Sequence, residues 1–289
     1  MSLVCALWGF SFVVSKYAMQ QGFTEMTLAC VRYAFVCLVM LPALSLQEGL
    51  HFPAREDFLP LLLSGLTGVT FYFMFEYMGV MRTTVVNASL VLAAVPVFSI
   101  LFGALRGKKY TPACWLGVCI SMLGVFFVVY FGTNDAQGQT QGQVLLGNLF
   151  LLGAALCWVS YIEISKKQLM KHSSLYVTTW QGVFGFIALI PAALSELSHW
   201  QPVPFSGFLC ALFLAVICSA LCFFWYGQSL PALSSIQAAI FINVSPIVSV
   251  IAGVLLLGEP LHIAQAVGGV LILGSIFLVN IGARRSERG

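Results

Sequence analysis

Charge is what this chain has least of. Its 289 residues include 13 Lys or Arg and 10 Asp or Glu, 8% in all, against roughly 25% in a soluble domain. So few charges cannot solvate the surface of a globule. The 60% of apolar residues excludes disorder, and 26 Gly with 11 Pro in no G-X-Y period exclude collagen. Basic residues dispersed among apolar runs, with a net charge of +3, offer no contiguous surface for a phosphate polymer, so nucleic acid is not an expected partner. Enzyme signatures are missing as well. His51, His172, His199 and His262 show no HExxH spacing. No carboxylate pair shares a helix face, and no Ser/His/Asp set or Walker-type loop appears. No cofactor or metal is therefore expected, and ATP cannot power work on this chain alone. The nine cysteines contain no CxxC pair and sit in or beside apolar runs, as small packing residues do. A basic n-region and an A-x-A site are also lacking, so the first apolar stretch is expected to be retained.

What the chain does have is hydrophobic length. A span needs about 20 apolar residues to cross roughly 30 Å of hydrocarbon. Apolar runs bounded by polar, Pro or Gly breaks predict ten helices, at about 3–20, 25–46, 57–80, 83–105, 112–132, 144–165, 174–195, 205–228, 233–257 and 262–282. These runs are apolar on every side, which rules out the alternating strands of a membrane β-barrel. The expected fold class is an all-α membrane protein of ten transmembrane helices.

The polar segment 133–143, TNDAQGQTQGQ, falls between five predicted helices and five more. Shifting the second half back by 150 positions superimposes Trp8 on Trp158, Lys16 on Lys166, Pro96 on Pro246, Ser99 on Ser249, Gly103 on Gly253 and Gly124 on Gly274. Residues 1–132 and 144–289 are therefore read as two five-helix repeats joined by the linker. An odd number of spans per unit makes the second repeat enter the membrane from the opposite side, giving inverted repeats, an arrangement typical of transporters. With both termini cytoplasmic, the inner loops carry Arg55, Arg106, Lys108, Lys109, Lys166, Lys167, Lys171, Arg284, Arg285 and Arg288, and the outer side only Lys16 and Arg82. The positive-inside rule fixes that orientation.

Charges inside spans cost about 2.5–3.5 kcal/mol each at a helix centre and mark function by default. Arg32 and Glu76 lie roughly 10 Å and 7 Å from the outer ends of their helices at about 1.5 Å per residue. They share a depth, as a structural ion pair or as a substrate or proton site. Lys16 is expected to snorkel to the interface, and Glu163 to pair with Lys167 one turn on. Ser64, Gly68, Tyr72 and Glu76 form a stripe on the third helix, matched by Leu214, Cys218, Cys222 and Tyr226 on the eighth. Both stripes are expected to line a midplane cavity, with close helix packing as the alternative. Thr83, Thr84, Asn87 and Ser89 make the fourth helix polar, and Ser234, Ser235, Gln237, Asn243 and Ser245 the ninth. Pro96 and Pro246 there free the carbonyls of Leu92 and Ile242, as hinges or as static kinks. Trp8, Phe12 and Trp158 lie too deep for an interfacial belt and suit an aromatic wall or ordinary packing, and Trp225 and Tyr226 extend the same idea.

Leu7-Trp8-Gly9 leading to Lys16, Arg32 in the second helix, the proline-bearing fourth and ninth helices, and Leu257-Gly258-Glu259-Pro260-Leu261 before the last helix together resemble EamA-type members of the drug/metabolite transporter superfamily. The likeness spans the whole chain and is specific for the family, not for a substrate. It implies a central cavity built by helices 1, 3, 4, 6, 8 and 9, with the fifth and tenth outside it. One departure lies between the halves, where Gly107-Lys108-Lys109 stands opposite Gly258-Glu259-Pro260.

The resulting expectation is a secondary transporter of the bacterial inner membrane that exports a small metabolite such as an amino acid by alternating access. Its partners are a small-molecule substrate and the bilayer, with protons as the candidate coupling ion, and the chain acts as a monomer or homodimer. Candidate cargo-binding residues are Trp8, Phe12, Arg32, Tyr72, Glu76, Asn87, Trp158, Tyr226, Gln237 and Asn243. The alternatives are an importer or multidrug exporter and, in another class, a receptor or scaffold, for which the short loops leave little docking surface.

Overall fold

A computed structural model describes residues 1–131, 139–233, 241–242 and 244–286, without the side chains at 276, 277 and from 280 onward. Every regular element among the described residues is helical. Ten helices are present: α1 (Ser2–Gln20), α2 (Glu25–Gln47), α3 (Arg55–Val80), α4 (Val85–Leu105), α5 (Pro112–Phe131), α6 (Gln141–Leu169), α7 (Ser174–Ser195), α8 (Phe205–Ala232), α9 (Val244–Leu257) and α10 (Ile263–Ser286). The first eight are each long and apolar enough to span a bilayer, and α9 and α10 contribute shorter apolar stretches. Predicted boundaries agree to within a few residues except at the ninth helix, expected from 233, where 234–240 and 243 lie outside the described residues and α9 runs from Val244. α6 starts inside the predicted linker because Thr140 and Gln143 form a reciprocal capping box there. The preceding 132–138 lie outside the described residues.

The halves are interleaved. α1 packs on α8 and α9 while α6 packs on α3 and α4, and α2 pairs with α7 as α5 pairs with α10. Exchanging the repeats maps this pattern onto itself, as a two-fold relation requires. The contacts also fix direction. Trp8 and Tyr72 line one cavity and Lys16 reaches the Thr83 carbonyl, so α1 runs parallel to α3. Gly68 sits against Tyr161 and Gly79 against Leu151, so α6 runs antiparallel to α3. The first helix of one repeat thus opposes the first helix of the other, and the repeats are inverted.

Close approach depends on small residues, since lipid tails provide no hydrophobic drive between helices. A Cβ on Gly9 would lie 2.4 Å from the Ser245 carbonyl oxygen, which brings α1 against α9, and Ser249 donates across the same seam to the Gly9 carbonyl at 2.7 Å. Gly107 and Gly258 end α4 and α9 at φ +81° and +64°, conformations in which a side chain would be strained.

Two local departures from the α-helix went unread in the sequence. α3 and α8 each contain a π-helical stretch, Leu66–Phe71 and Leu214–Leu221, at corresponding places in the repeats. π-turns insert a residue and release backbone groups, often at functional sites. The fourth helix is broken rather than kinked: segments Val85–Leu92 and Val95–Leu105 meet at Ala93–Ala94, with Pro96 in the first turn of the second segment. Proline suits that position because its missing N–H is not needed there.

Candidate functional site

Between the repeats lies a cavity that encloses about 570 Å³ of space when its open mouth is included. α1 supplies Trp8, Ser11 and Phe12; α2 supplies Arg32; α3 supplies Tyr72, Phe73 and Glu76. Ser89 and Leu92 come from α4, Trp158 from α6, Phe223 from α8, and Ser245 and Pro246 from α9. Among the described residues, none from α5, α7 or α10 lines it.

The wall is aromatic. Trp8 meets Trp158 edge to face at 5.2 Å, Trp158 lies 4.9 Å from Tyr72, and Trp8 lies 5.1 Å from Tyr226 between ring centroids. Such contacts hold large side chains rigid. Trp8 Nε1 also donates to the Cys218 carbonyl at 2.8 Å, inside the π-helical stretch of α8. A carbonyl of that stretch thus anchors the indole.

Arg32 and Glu76 are 1% and 2% exposed and face the same cavity, away from lipid. They do not form a direct ion pair. Arg32 Nε donates to Ser219 Oγ at 2.6 Å and Nη1 to the Tyr77 hydroxyl at 2.9 Å, and its guanidinium stacks 4.3 Å over the Phe73 ring. Three neighbours therefore fix the cation's plane while the cavity-facing edge stays available. Tyr72 stands one turn from Glu76 and reaches toward its carboxylate.

Of the predicted residues, Trp8, Phe12, Arg32, Tyr72, Glu76 and Trp158 line the cavity, together with Pro246. Tyr226 is fully buried behind the wall, against Trp8 and Trp158. Asn87 is turned away: its amide nitrogen donates to Asn148 Oδ1 at 2.6 Å and to Thr83 Oγ1 at 3.0 Å, tying α4 to α6. Gln237 and Asn243, like Ser234 and Ser235, lie outside the described residues. The expected stripe on α3 splits, because the π-helical stretch changes its register. Ser64 bonds Gln181 of α7 and Gly68 packs on Tyr161, and only Tyr72 and Glu76 reach the cavity. Phe73 and Phe223 were missed, since nothing in their local sequence distinguishes lining from packing, and Ser89, one of the polar residues noted on the fourth helix, lines the cavity where Asn87 does not.

Two charges also differ from expectation. Lys16 does not snorkel; it bonds Glu259 at 2.9 Å and the Thr83 carbonyl at 2.8 Å. Glu163 lies 3.5 Å from Arg106, the residue that follows α4, rather than pairing with Lys167, because α4 ends beside α6.

The EamA-like transporter family matches residues 1–130 and again 145–281. An uncharacterized transporter of Archaeoglobus fulgidus is 25% identical over 96% of this chain and 95% of its own length. The uncharacterized inner membrane transporter YicL of Salmonella typhimurium is 23% identical over 99% and 95%. A probable terminal-alkyne amino-acid exporter of Streptantibioticus cattleyicolor is 24% identical over 98% and 94%. A solved crystal structure superimposes with a TM-score of 0.64 at 17% identity, over 96% of this chain and 98% of that one, a likeness of fold. With two family matches covering both repeats and nearly every residue, the chain belongs to the EamA-like transporters, multi-pass membrane proteins that carry small molecules rather than catalyse reactions.

Proposed function

We propose that this transporter exports a small zwitterionic metabolite, an amino acid or a close relative, across a bacterial inner membrane by alternating access. The observation that carries the reading is that Arg32 and Glu76 face one aromatic-walled cavity without joining each other. A buried cation and a buried acid kept apart suit a ligand bearing both signs, the carboxylate on Arg32 and the amine on Glu76. Trp8, Tyr72 and Trp158 would enclose its apolar part. The name of the Streptantibioticus relative points to the same cargo class. The positive-inside rule puts the face rich in Lys and Arg, with both termini, in the cytoplasm. Rocking of the repeats would open the cavity to each side in turn, with Pro96 and Pro246 beside the moving segments.

The test is thermal stabilisation of the purified protein against a metabolite panel, followed by counterflow in proteoliposomes. A ligand that binds only the folded state raises the melting temperature. Amino acids should stabilise the wild type and exchange across the vesicle, while their decarboxylated and N-acetylated analogues should do neither. Stabilisation by bulky hydrophobic cations instead would favour a multidrug exporter. Glu76 is also the candidate proton carrier, so Glu76→Gln should flatten the pH dependence of counterflow. An unchanged rate and pH profile would remove that role.

A further inference from the structure

We propose that Lys16 and Glu259 form a latch on the outer gate, and that its absence from the opposite mouth makes the empty transporter load from the cytoplasmic face. The proposal takes from the functional reading only that the two mouths open in turn.

Glu259 follows the left-handed turn at Gly258 and is 6% exposed. Its Oε1 accepts from Lys16 Nζ at 2.9 Å and from the Val85 backbone N–H at 2.9 Å, and its Oε2 accepts from Val86 N–H at 3.1 Å. The carboxylate therefore caps the first turn of α4, where unsatisfied N–H groups and the helix dipole favour an anion. Lys16 adds its bond to the Thr83 carbonyl just ahead of that turn. Three elements meet at one carboxylate: the end of α1, the start of α4 and the α9–α10 turn. The same helices carry Trp8, Ser11, Ser89, Leu92, Ser245 and Pro246 on the cavity wall. Fastening their ends holds that mouth closed, and parting them breaks several charge-assisted hydrogen bonds together.

The other mouth has half of this device. Lys166 is the repeat counterpart of Lys16, and it donates to the carbonyl of Leu233, the counterpart of Thr83. The lysine-to-carbonyl bond is thus preserved across the duplication. Glu259 matches Lys109 by the 150-residue shift and Lys108 by the two turn glycines, and both are exposed cations, so no carboxylate from this turn caps a helix or meets the lysine. Among the described residues, the matched turns thus carry an acid at the outer mouth and lysines at the inner one.

The experiment is cysteine labelling in intact cells and in inverted vesicles. Ser11→Cys places a thiol on the cavity wall, and the parent chain supplies the background of its nine native cysteines. With the latch intact, a membrane-impermeant maleimide should label this thiol faster from the inside. Adding Glu259→Gln should raise outside labelling roughly tenfold, the ratio a shift of about 1.4 kcal/mol produces, and Lys16→Met should raise it less. The exchanged pair, Lys16→Glu with Glu259→Lys, should stay fast, because a lysine cannot accept the Val85 and Val86 N–H bonds. Lys109→Glu should slow labelling from the inside by supplying the missing acid. Retained inside labelling shows that the Glu259→Gln, Lys16→Met and exchanged-pair variants are folded, and a monodisperse size-exclusion peak shows it for Lys109→Glu. Unchanged outside labelling in folded Glu259→Gln and Lys16→Met would overturn the latch, as would full recovery by the exchanged pair. No cargo is needed, so a wrong substrate class leaves these results untouched, and a failed latch leaves the cargo assay untouched.

Discussion

Trp8 and Trp158, counterparts in the two repeats, meet with their rings at 87° and their centroids 5.2 Å apart. Residues related by a two-fold axis touch one another only near that axis, so this contact places it through the cavity. The environments of the two indoles nevertheless differ. Trp8 donates to the Cys218 carbonyl, and among the described residues Trp158 makes no such bond to a backbone carbonyl.

Trp8→Phe should therefore destabilise the protein by about 1 kcal/mol more than Trp158→Phe, the ordinary net worth of one hydrogen bond. Either tryptophan changed to Ala should cost about 3–5 kcal/mol through the void it leaves. Unfolding in detergent, followed by tryptophan fluorescence of the remaining indoles, measures the order.

Arg32→Lys keeps the charge and loses the planar fork held by Ser219, Tyr77 and Phe73. Apparent affinity for carboxylate-bearing cargo should fall tenfold or more. Tyr77→Phe, which removes one of the bonds steering the guanidinium, should cost a few-fold. The concentration dependence of counterflow distinguishes the two.

Asn87→Ala should lower thermal stability by about 1–3 kcal/mol, since it strands the Asn148 carbonyl in a buried seam. The ranking of cargoes should not change, because Asn87 is turned from the cavity. A changed ranking would return Asn87 to the cargo site.

Gly9→Val should abolish assembly of the mature fold. Even the first carbon of the new side chain would stand 2.4 Å from the Ser245 oxygen, on rigid backbone. Loss of the monodisperse peak in size-exclusion chromatography is the expected outcome, with Gly9→Ala intermediate.

Pro96→Ala restores an amide that can donate back toward Leu92 and join the two segments of α4. If the break is a moving part, turnover should slow while half-saturation stays the same. Equal slowing by substitutions elsewhere in α4 would reduce the break to a static feature.

The span count, the duplication and its inversion were legible because they rest on long apolar runs and a single ungapped shift. Arg32, Glu76, Trp8 and Trp158 were legible because charge and deep tryptophan are conspicuous inside a span. What stayed hidden depends on partners distant in the chain. Asn87 reads as a cargo ligand in the sequence, whereas the fold sets Asn148 opposite it, and Lys16 reads as interfacial, whereas the fold brings to it Glu259, 243 residues away in the chain. The stripe on α3 assumed an unbroken period of 3.6, which the π-helical stretch at Leu66–Phe71 interrupts. A polar side chain has one local sequence and several possible neighbours, and only packing selects among them.

The interleaving of the repeats bears on how the molecule is made. The surfaces that α1, α2, α3 and α5 offer to α8 and α9, α7, α6 and α10 stay unmatched until the second repeat has left the ribosome. Gene duplication thus produced two copies of a sequence but one obligate assembly. Either copy synthesised alone should be cleared by membrane proteases, whereas the two expressed together as separate polypeptides should rescue one another.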